Sequence, residues 1–173
     1  MPISTITSKS TTGVISSGTA VASTSGTSID FTGIPSWVKR ITVMFNGVST
    51  NGSSVVQIQI GAGSVTTTGY LAYATAYGQS TSFATTTSTS GFVTGQANSA
   101  AGSTRHGIAT IANINGNAWV FASALADAAS TSGAIMSGGG GSLTLGGTLD
   151  RVRITTVNGT DTFDAGTINI LYE

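Results

Sequence analysis

The chain has 173 residues and a mass of 17.1 kDa, and it contains 24 Ser, 30 Thr and 24 Gly. Six Lys/Arg balance six Asp/Glu, so 7% of the residues are charged, against about 25% in an average soluble domain. This composition predicts no basic surface for nucleic acid and no coiled coil with charged flanks. No apolar run reaches the roughly 20 residues of a membrane span, and without cysteine there are no disulfides, thiolate metal sites or thiol catalysis.

The first twelve residues differ from the rest of the chain in their weak apolar alternation. Residues 1–12 lack the basic and apolar segments of a secretory signal, and Lys9 is their single charge. We predict that they form an N-terminal arm ahead of the folded domain. A short extended arm can add a strand to a partner's sheet, so Ile3 and Ile6 are candidate contacts with a neighbouring protein. A frayed terminus is the alternative.

From residue 13 onward the apolar pattern repeats every two residues, which is typical of strands. In 38–48, the side chains of Ile41, Val43 and Phe45 are predicted to point one way and the residues between them the other. The same alternation occurs in the predicted strands at 55–60, 108–114, 119–125, 149–157 and 167–172.

Asn-Gly dipeptides, which favour turns with positive φ, separate several of these segments. The dipeptide at 115–116 lies between two apolar runs and predicts a hairpin. Further Asn-Gly turns are predicted at 46–47, 51–52 and 158–159.

No stretch has the apolar stripe of a helix, and turn signals recur throughout. The sequence therefore predicts a single all-β domain over 13–173, an antiparallel β-sandwich or jelly roll of about eight to ten strands. The Ser/Thr/Gly-rich segments 81–90 and 95–104 are predicted to be long surface loops. The four glycines at 138–141 predict a tight loop or a close approach of another backbone.

Residues that could perform catalysis are few. His106 is the only histidine, so a Ser-His-Asp hydrolase would need it, but Ser and Asp are too common here to indicate a triad. The acidic residues do not lie among the aromatic residues that a sugar-cleaving cleft needs. We therefore predict a protein that is not an enzyme and needs no cofactor.

A calcium site is a possible exception near the C-terminus. Asp161 and Asp164 could supply loop oxygens to a calcium ion. The alternative is that these carboxylates only stabilise the turn after the Asn-Gly at 158–159.

Aromatic side chains are the remaining binding candidates. Trp37 follows a Gly-Ile-Pro-Ser segment and is predicted to be a buried anchor at the start of the 38–48 strand, with a sugar-stacking platform as the alternative. Tyr70, Tyr73 and Tyr77 lie among Ala and Thr residues. Such tyrosines suit an adaptable surface that contacts a partner or receptor, and a role in the core is the alternative.

Two segments resemble a family of bacteriophage and prophage virion proteins. They are SGTSIDFTGIPSWVKRITVMFNGVSTNGSS at 25–54 and GGTLDRVRITTVNGTDTFDAGTINILYE at 146–173, and the Arg-His-Gly at 105–107 is also similar. In that family such a domain occurs as a stand-alone structural protein or at the distal end of tail fibres. The resemblance implies a non-enzymatic, usually oligomeric virion component that is made in the cytoplasm of a bacterial host and has no catalytic residues.

The scarcity of charge points to assembly as well, because uncharged sheet faces and open strand edges are a hazard for a monomer. We expect a homo-oligomer, a trimer by analogy with the family, located in the virion and in contact with other capsid or tail proteins. A host surface glycan is a possible further ligand, and neither nucleic acid nor a membrane span is expected.

Three placements are open. A capsid decoration or cement protein is favoured because only 12 residues precede the predicted domain and no shaft repeats occur. A tail-fibre or spike component that binds the host receptor is the main alternative. A free carbohydrate-binding lectin is the third.

Overall fold

The computed structural model describes residues 15–78, 83–95, 100–128 and 135–173. Within these ranges the chain forms strands and turns and no helix, and two antiparallel sheets pack against each other. The predicted antiparallel β-sandwich is confirmed, whereas its jelly-roll variant is not. The predicted arm at 1–12, with Ile3 and Ile6, lies outside the described residues and stays a prediction.

In the described parts of the chain, fourteen strand segments build the two sheets. They are β1 (Ser16–Ser17), β2 (Val21–Ala22), β3 (Ser28–Thr32), β4 (Arg40–Thr50), β5 (Val56–Ala62), β6 (Ser64–Val65), β7 (Leu71–Gly78), β8 (Phe83–Ser88), β9 (Phe92–Val93), β10 (Thr104–Asn115), β11 (Ala118–Ala128), β12 (Ile135–Thr144), β13 (Arg151–Thr156) and β14 (Phe163–Tyr172). Four of these segments have only two residues, so the number of longer strands agrees with the prediction.

The strands divide unequally between the sheets. The nine-stranded sheet, called the large sheet below, has the order β1-β14-β4-β10-β11-β12-β7-β8, with β2 also paired to β14. The five-stranded small sheet has the order β3-β13-β5-β6, with β9 also paired to β5. Strand β8 is therefore at one edge of the large sheet.

The core lies between the two sheets and follows the predicted alternation. Most side chains in the predicted inward phase are buried: Ile41, Val43, Phe45, Val56, Ile58, Ile60, Trp119, Phe121, Leu125, Val152, Ile154, Ile168 and Ile170. Tyr172, which is in phase with Ile168 and Ile170, is only partly buried. Phe92 of β9 stacks on Phe121 of β11 with ring centroids 4.8 Å apart, which joins the sheets across the core. Each such side chain stabilises the fold by roughly 1.5–3 kcal/mol through removal of apolar surface from water.

Two segments that were predicted to be loops are strands. The prediction of a surface loop at 81–90 is wrong for Phe83–Ser88, which is β8 and pairs with β7. A run of β-branched Thr residues is a good strand former even without large apolar side chains, and an edge strand needs few of them. The glycines at 138–141 lie inside β12, so the predicted tight loop is wrong there, although the predicted close approach of a backbone is confirmed below. The predicted 95–104 loop lies partly outside the described residues.

The Asn-Gly at 46–47 is also not a turn. Gly47 lies within β4 with a φ of 68°, and the pairing of β4 with β10 shifts register opposite Arg105 and Gly107. This is a β-bulge, which needs the same positive φ as a turn but leaves the strand continuous. The Asn-Gly at 115–116 does form the predicted hairpin between β10 and β11.

Candidate functional site

The large sheet has an exposed apolar surface on the side that faces away from the core. On β7, Leu71, Tyr73 and Tyr77 are 55%, 55% and 53% exposed, and Met136 of β12 is 50% exposed beside Tyr77. These side chains share one phase of the alternation, and the other phase, with Ala72, Ala74 and Ala76, is buried. We call the outer side of β7, β8, β11 and β12 the outer large-sheet face.

Along β11 and β12, the middle of this face has only glycine and alanine at its outward positions. Gly138 and Gly140 of β12 pair with Thr75 and Tyr73, and the outward positions of β11 include Ala122 and Ala124. A shallow depression of about 410 Å³ lies over Gly138 and Gly140, with Tyr73 at its border. An approaching molecule can therefore come close to the sheet backbone at this point.

The glycines of β12 have two different roles. A Cβ on Gly139 would lie 2.8 Å from the Val93 carbonyl oxygen, and one on Gly141 would lie 2.5 Å from the Leu71 carbonyl oxygen. Those two positions must be glycine because neighbouring backbone occupies the space. A Cβ on Gly138 or Gly140 would approach no atom closer than 3.7 Å. Packing within the described chain therefore does not require glycine at these two outward positions.

The outer large-sheet face also lacks charge. The only formally charged residue in the described parts of β7, β8, β11 and β12 is Asp127, which faces inward and is 5% exposed. Large apolar side chains without charge are typical of the centre of a protein–protein interface. The face can make apolar contacts and can pack closely against another molecule through its backbone.

Tyr70 does not belong to this surface. It is 3% exposed, its hydroxyl accepts a hydrogen bond from the Ile60 N–H at 2.8 Å, and it lies within 3.0 Å of the Thr66 carbonyl oxygen. Burial raises the pKa of this hydroxyl well above its ordinary range. The prediction of Tyr70 as a contact residue is wrong because strand alternation turns it into the core, whereas Tyr73 and Tyr77 are placed where a partner could touch them.

Trp37 is not the predicted buried anchor. Its side chain is 52% exposed, and its ring lies 6.0 Å from that of Tyr172 at an angle of 45°. Val38, the next residue, is 3% exposed and takes the buried position at the start of β4.

His106 has a structural contact. Its ring lies on β10, and Nδ1 accepts a hydrogen bond from the Gly47 N–H at 3.2 Å, so the imidazole supports the bulge of β4. Among the described residues, no Ser or Asp side chain forms a hydrogen bond with this ring.

The contacts of Asp161 agree with the turn interpretation. Its carboxylate accepts hydrogen bonds from the Ser54 N–H at 2.9 Å and from Asn158 Nδ2 at 2.6 Å, which joins two turns. Asp164 accepts its hydrogen bond from the hydroxyl of Ser49 instead. No cluster of three His, Cys, Asp or Glu side chains suited to a metal occurs in the part of the chain that the structure describes.

The structure also contains a buried charged pair that the sequence prediction missed. Arg105 of β10 and Asp127 of β11 are cross-strand neighbours, and each is 5% exposed. Burial raises the pKa of Asp127 and lowers that of Arg105, and the attraction between their charges partly offsets both shifts. The signal was available, because Asp127 follows Trp119, Phe121 and Leu125 on the inward phase.

Comparison with known proteins adds no assignment. No family model, curated protein or solved structure matches this chain. Across the described ranges there is no helix long and apolar enough to cross a membrane.

Proposed function

We propose that this chain is a non-enzymatic structural protein of a bacteriophage virion that assembles with copies of itself through the outer large-sheet face. The observation that carries the assembly part is the uncharged face on which Leu71, Tyr73, Tyr77 and Met136 are each about half exposed. The virion part rests on the resemblance of 25–54 and 146–173 to phage virion proteins.

A second copy is the occupant that fits this face best. The chain has a net charge of zero, so its copies do not repel one another and offer no charge that would need a charged partner. The exposed ridge of Leu71 and Tyr73 lies beside the bare floor of Gly138 and Gly140, which gives one face both a projection and a recess. Symmetric oligomers use such self-complementary patches.

Within the virion, we place the chain in the capsid as a decoration or cement protein that stabilises the particle. A tail-fibre or spike component that binds the host receptor is the alternative. Cryo-electron microscopy of assembled particles distinguishes them, since density for this fold over capsomer junctions supports the first and density at the tail tip supports the second. Particles that lack the chain altogether would overturn the virion assignment.

The assembly surface is tested by adding side chains at Gly138 and Gly140, in the depression of the outer large-sheet face. The double variant Gly138→Thr, Gly140→Thr adds side chains where the isolated chain has room, and glycine in a strand costs roughly 0.5–1 kcal/mol relative to alanine. We expect the variant to keep or raise its melting temperature. The added side chains should block close approach of a second copy, so sedimentation should show loss of the wild-type oligomer, which we expect to be a trimer.

Two controls separate assembly from folding. Gly146→Thr adds the same side chain at an exposed position outside the face, where a Cβ meets nothing within 4 Å, and should leave the oligomer intact. Gly139→Thr should instead lower the melting temperature, because its Cβ faces the Val93 carbonyl. A monomeric wild-type chain, or a double variant with an unchanged oligomer, would contradict the proposed assembly surface.

A further inference from the structure

A polar surface lies on the opposite side of the sandwich, on the outer face of the small sheet. Strand pairing places two rows of polar side chains across β3, β13 and β5. The first row is Asp30, Arg153 and Gln59, and the second is Ser28, Thr155 and Gln57. The residues that alternate with them, such as Ile29, Ile58 and Ile154, are buried in the core.

Part of this surface is covered by a neighbouring segment of the chain, unlike the open face of an ordinary sheet. Gln57 and Gln59 are 2% and 6% exposed although they point away from the core. Ser90 covers them, since its hydroxyl contacts Gln57 Oε1 at 3.2 Å and its carbonyl accepts a hydrogen bond from Gln59 Nε2 at 2.8 Å. A Cβ on Gly91 would lie 2.6 Å from Gln57 Oε1. A glycine at this position therefore allows the segment around Ser90 to pack closely against Gln57.

The result is a preformed depression of about 320 Å³. All members of the two polar rows except Asp30 line it, and Thr67, Ser90 and the turn at 157–159 border it. Because hydrogen bonds hold both glutamines in place, little ordering would be needed when a ligand binds.

Several polar atoms in the depression have no partner among the described residues. They are Gln59 Oε1, Arg153 Nη1 and the hydroxyls of Ser28 and Thr67. The amide oxygen of Gln59 can only accept a hydrogen bond, the guanidinium nitrogen of Arg153 can only donate one, and the two hydroxyls can do both. A ligand with closely spaced groups that both donate and accept would satisfy them.

The charge of the depression limits the ligand further. Arg153 is bound to Asp30 by two hydrogen bonds of 2.7 and 2.8 Å, so the guanidinium charge is already balanced. Among the lining residues, no unbalanced positive charge is therefore left to attract a carboxylate or phosphate, and Val157 is the one apolar side chain. An anionic ligand and an apolar ligand are therefore both disfavoured.

We propose that this depression is a binding site for a neutral saccharide. Sugar hydroxyls are neutral, closely spaced and able both to donate and to accept, which matches the open atoms of Gln59, Arg153, Ser28 and Thr67. The site does not depend on the proposed assembly. Since it lies on the opposite sheet, copies joined through the outer large-sheet face would keep it open, and an oligomer would present several sites to a polymer.

Saturation-transfer NMR on the full chain tests this site with methyl glycosides of glucose, galactose, mannose and N-acetylglucosamine, and with methyl glucuronide as the anionic counterpart. We expect at least one neutral glycoside to bind and the glucuronide to bind more weakly. Ser28→Tyr fills the depression without breaking a described hydrogen bond and should abolish the signal. Thr32→Tyr introduces the same side chain four residues along β3, on the same face but outside the depression, and should leave binding unchanged.

A second variant tests the chemistry of the site rather than its shape. Ser28→Ala removes one open hydroxyl without breaking a described hydrogen bond, and should weaken binding about tenfold, as expected for one lost hydrogen bond to the ligand. If no neutral glycoside binds at millimolar concentration, or if Ser28→Tyr binds like wild type, the proposal is wrong. Equal loss in Thr32→Tyr would also overturn it, because the effect would then not be local to the depression.

Discussion

Tyr70 and Tyr73 are three residues apart and have opposite environments. Tyr70 is 3% exposed with its hydroxyl against the backbone of β5, whereas Tyr73 is 55% exposed on the outer large-sheet face. Residue type alone makes both candidates for binding, and alternation about β7 separates them. Strand alternation separates the glycines of β12 in the same way. Gly139 and Gly141 face neighbouring backbone, whereas Gly138 and Gly140 face open space.

Removing the Tyr70 hydroxyl should destabilise the fold. Tyr70→Phe leaves the Ile60 N–H without its acceptor and removes a donor from the buried Ile60 carbonyl oxygen. We expect the free energy of unfolding to fall by about 1–3 kcal/mol, measured by urea denaturation. Tyr73→Phe removes the same atom at an exposed position and should leave stability within about 0.5 kcal/mol of wild type. Equal effects of the two variants would contradict the assigned burial.

At the scale of elements, glycines with positive φ hold the bulged pairing of β4 and β14. Gly47 and Gly166 face each other there with φ values of 68° and 95°, and the pairing shifts register on both sides of Ala165. A Cβ on Gly166 would lie 2.4 Å from the Gly47 carbonyl oxygen. The bulges therefore need both an unusual backbone angle and the absence of a side chain.

A matched pair of glycine variants separates these two requirements. Gly159→Ala introduces strain from its φ of 68° alone, because nothing lies within 4 Å of the added Cβ, and should cost roughly 1–2 kcal/mol. Gly166→Ala adds a backbone clash to the same strain and should lower the melting temperature distinctly further. A Gly166→Ala chain as stable as Gly159→Ala would show that β4 and β14 can shift apart without cost.

At the scale of the whole molecule, the sandwich contains few charged residues and buries two of them. Arg105 and Asp127 are cross-strand neighbours, and Arg105 Nη2 and Asp127 Oδ1 have no hydrogen-bond partner among the described residues. Removing one member of such a pair leaves the other charge buried without compensation, which is the costly case. Because burial also shifts the pKa of Asp127, the stability of the fold is expected to depend on pH through this carboxyl.

Burial raises the pKa of Asp127 above its ordinary value of 3.8. The folded chain then binds the proton more tightly than the unfolded chain, so this carboxyl contributes most stability when protonated. Its contribution is lost as the pH rises from the ordinary value through the raised one. Asp127→Asn removes the titration, and its stability relative to wild type should rise over that pH interval in thermal melts. A relative stability that falls with rising pH would show that attraction by Arg105 outweighs burial.

The sequence by itself determined the all-β class, the inward phase of the main strands and the hairpin at 115–116. These features depend on alternation and turn chemistry, which are local along the chain. Only the tertiary structure decided that Trp37 is half exposed, that the glycines of β12 lie in a strand, and that Gln57 and Gln59 lie under Ser90. Periodicity separates one side of a strand from the other, but which side is covered, and by which distant segment, depends on contacts between residues far apart in the chain.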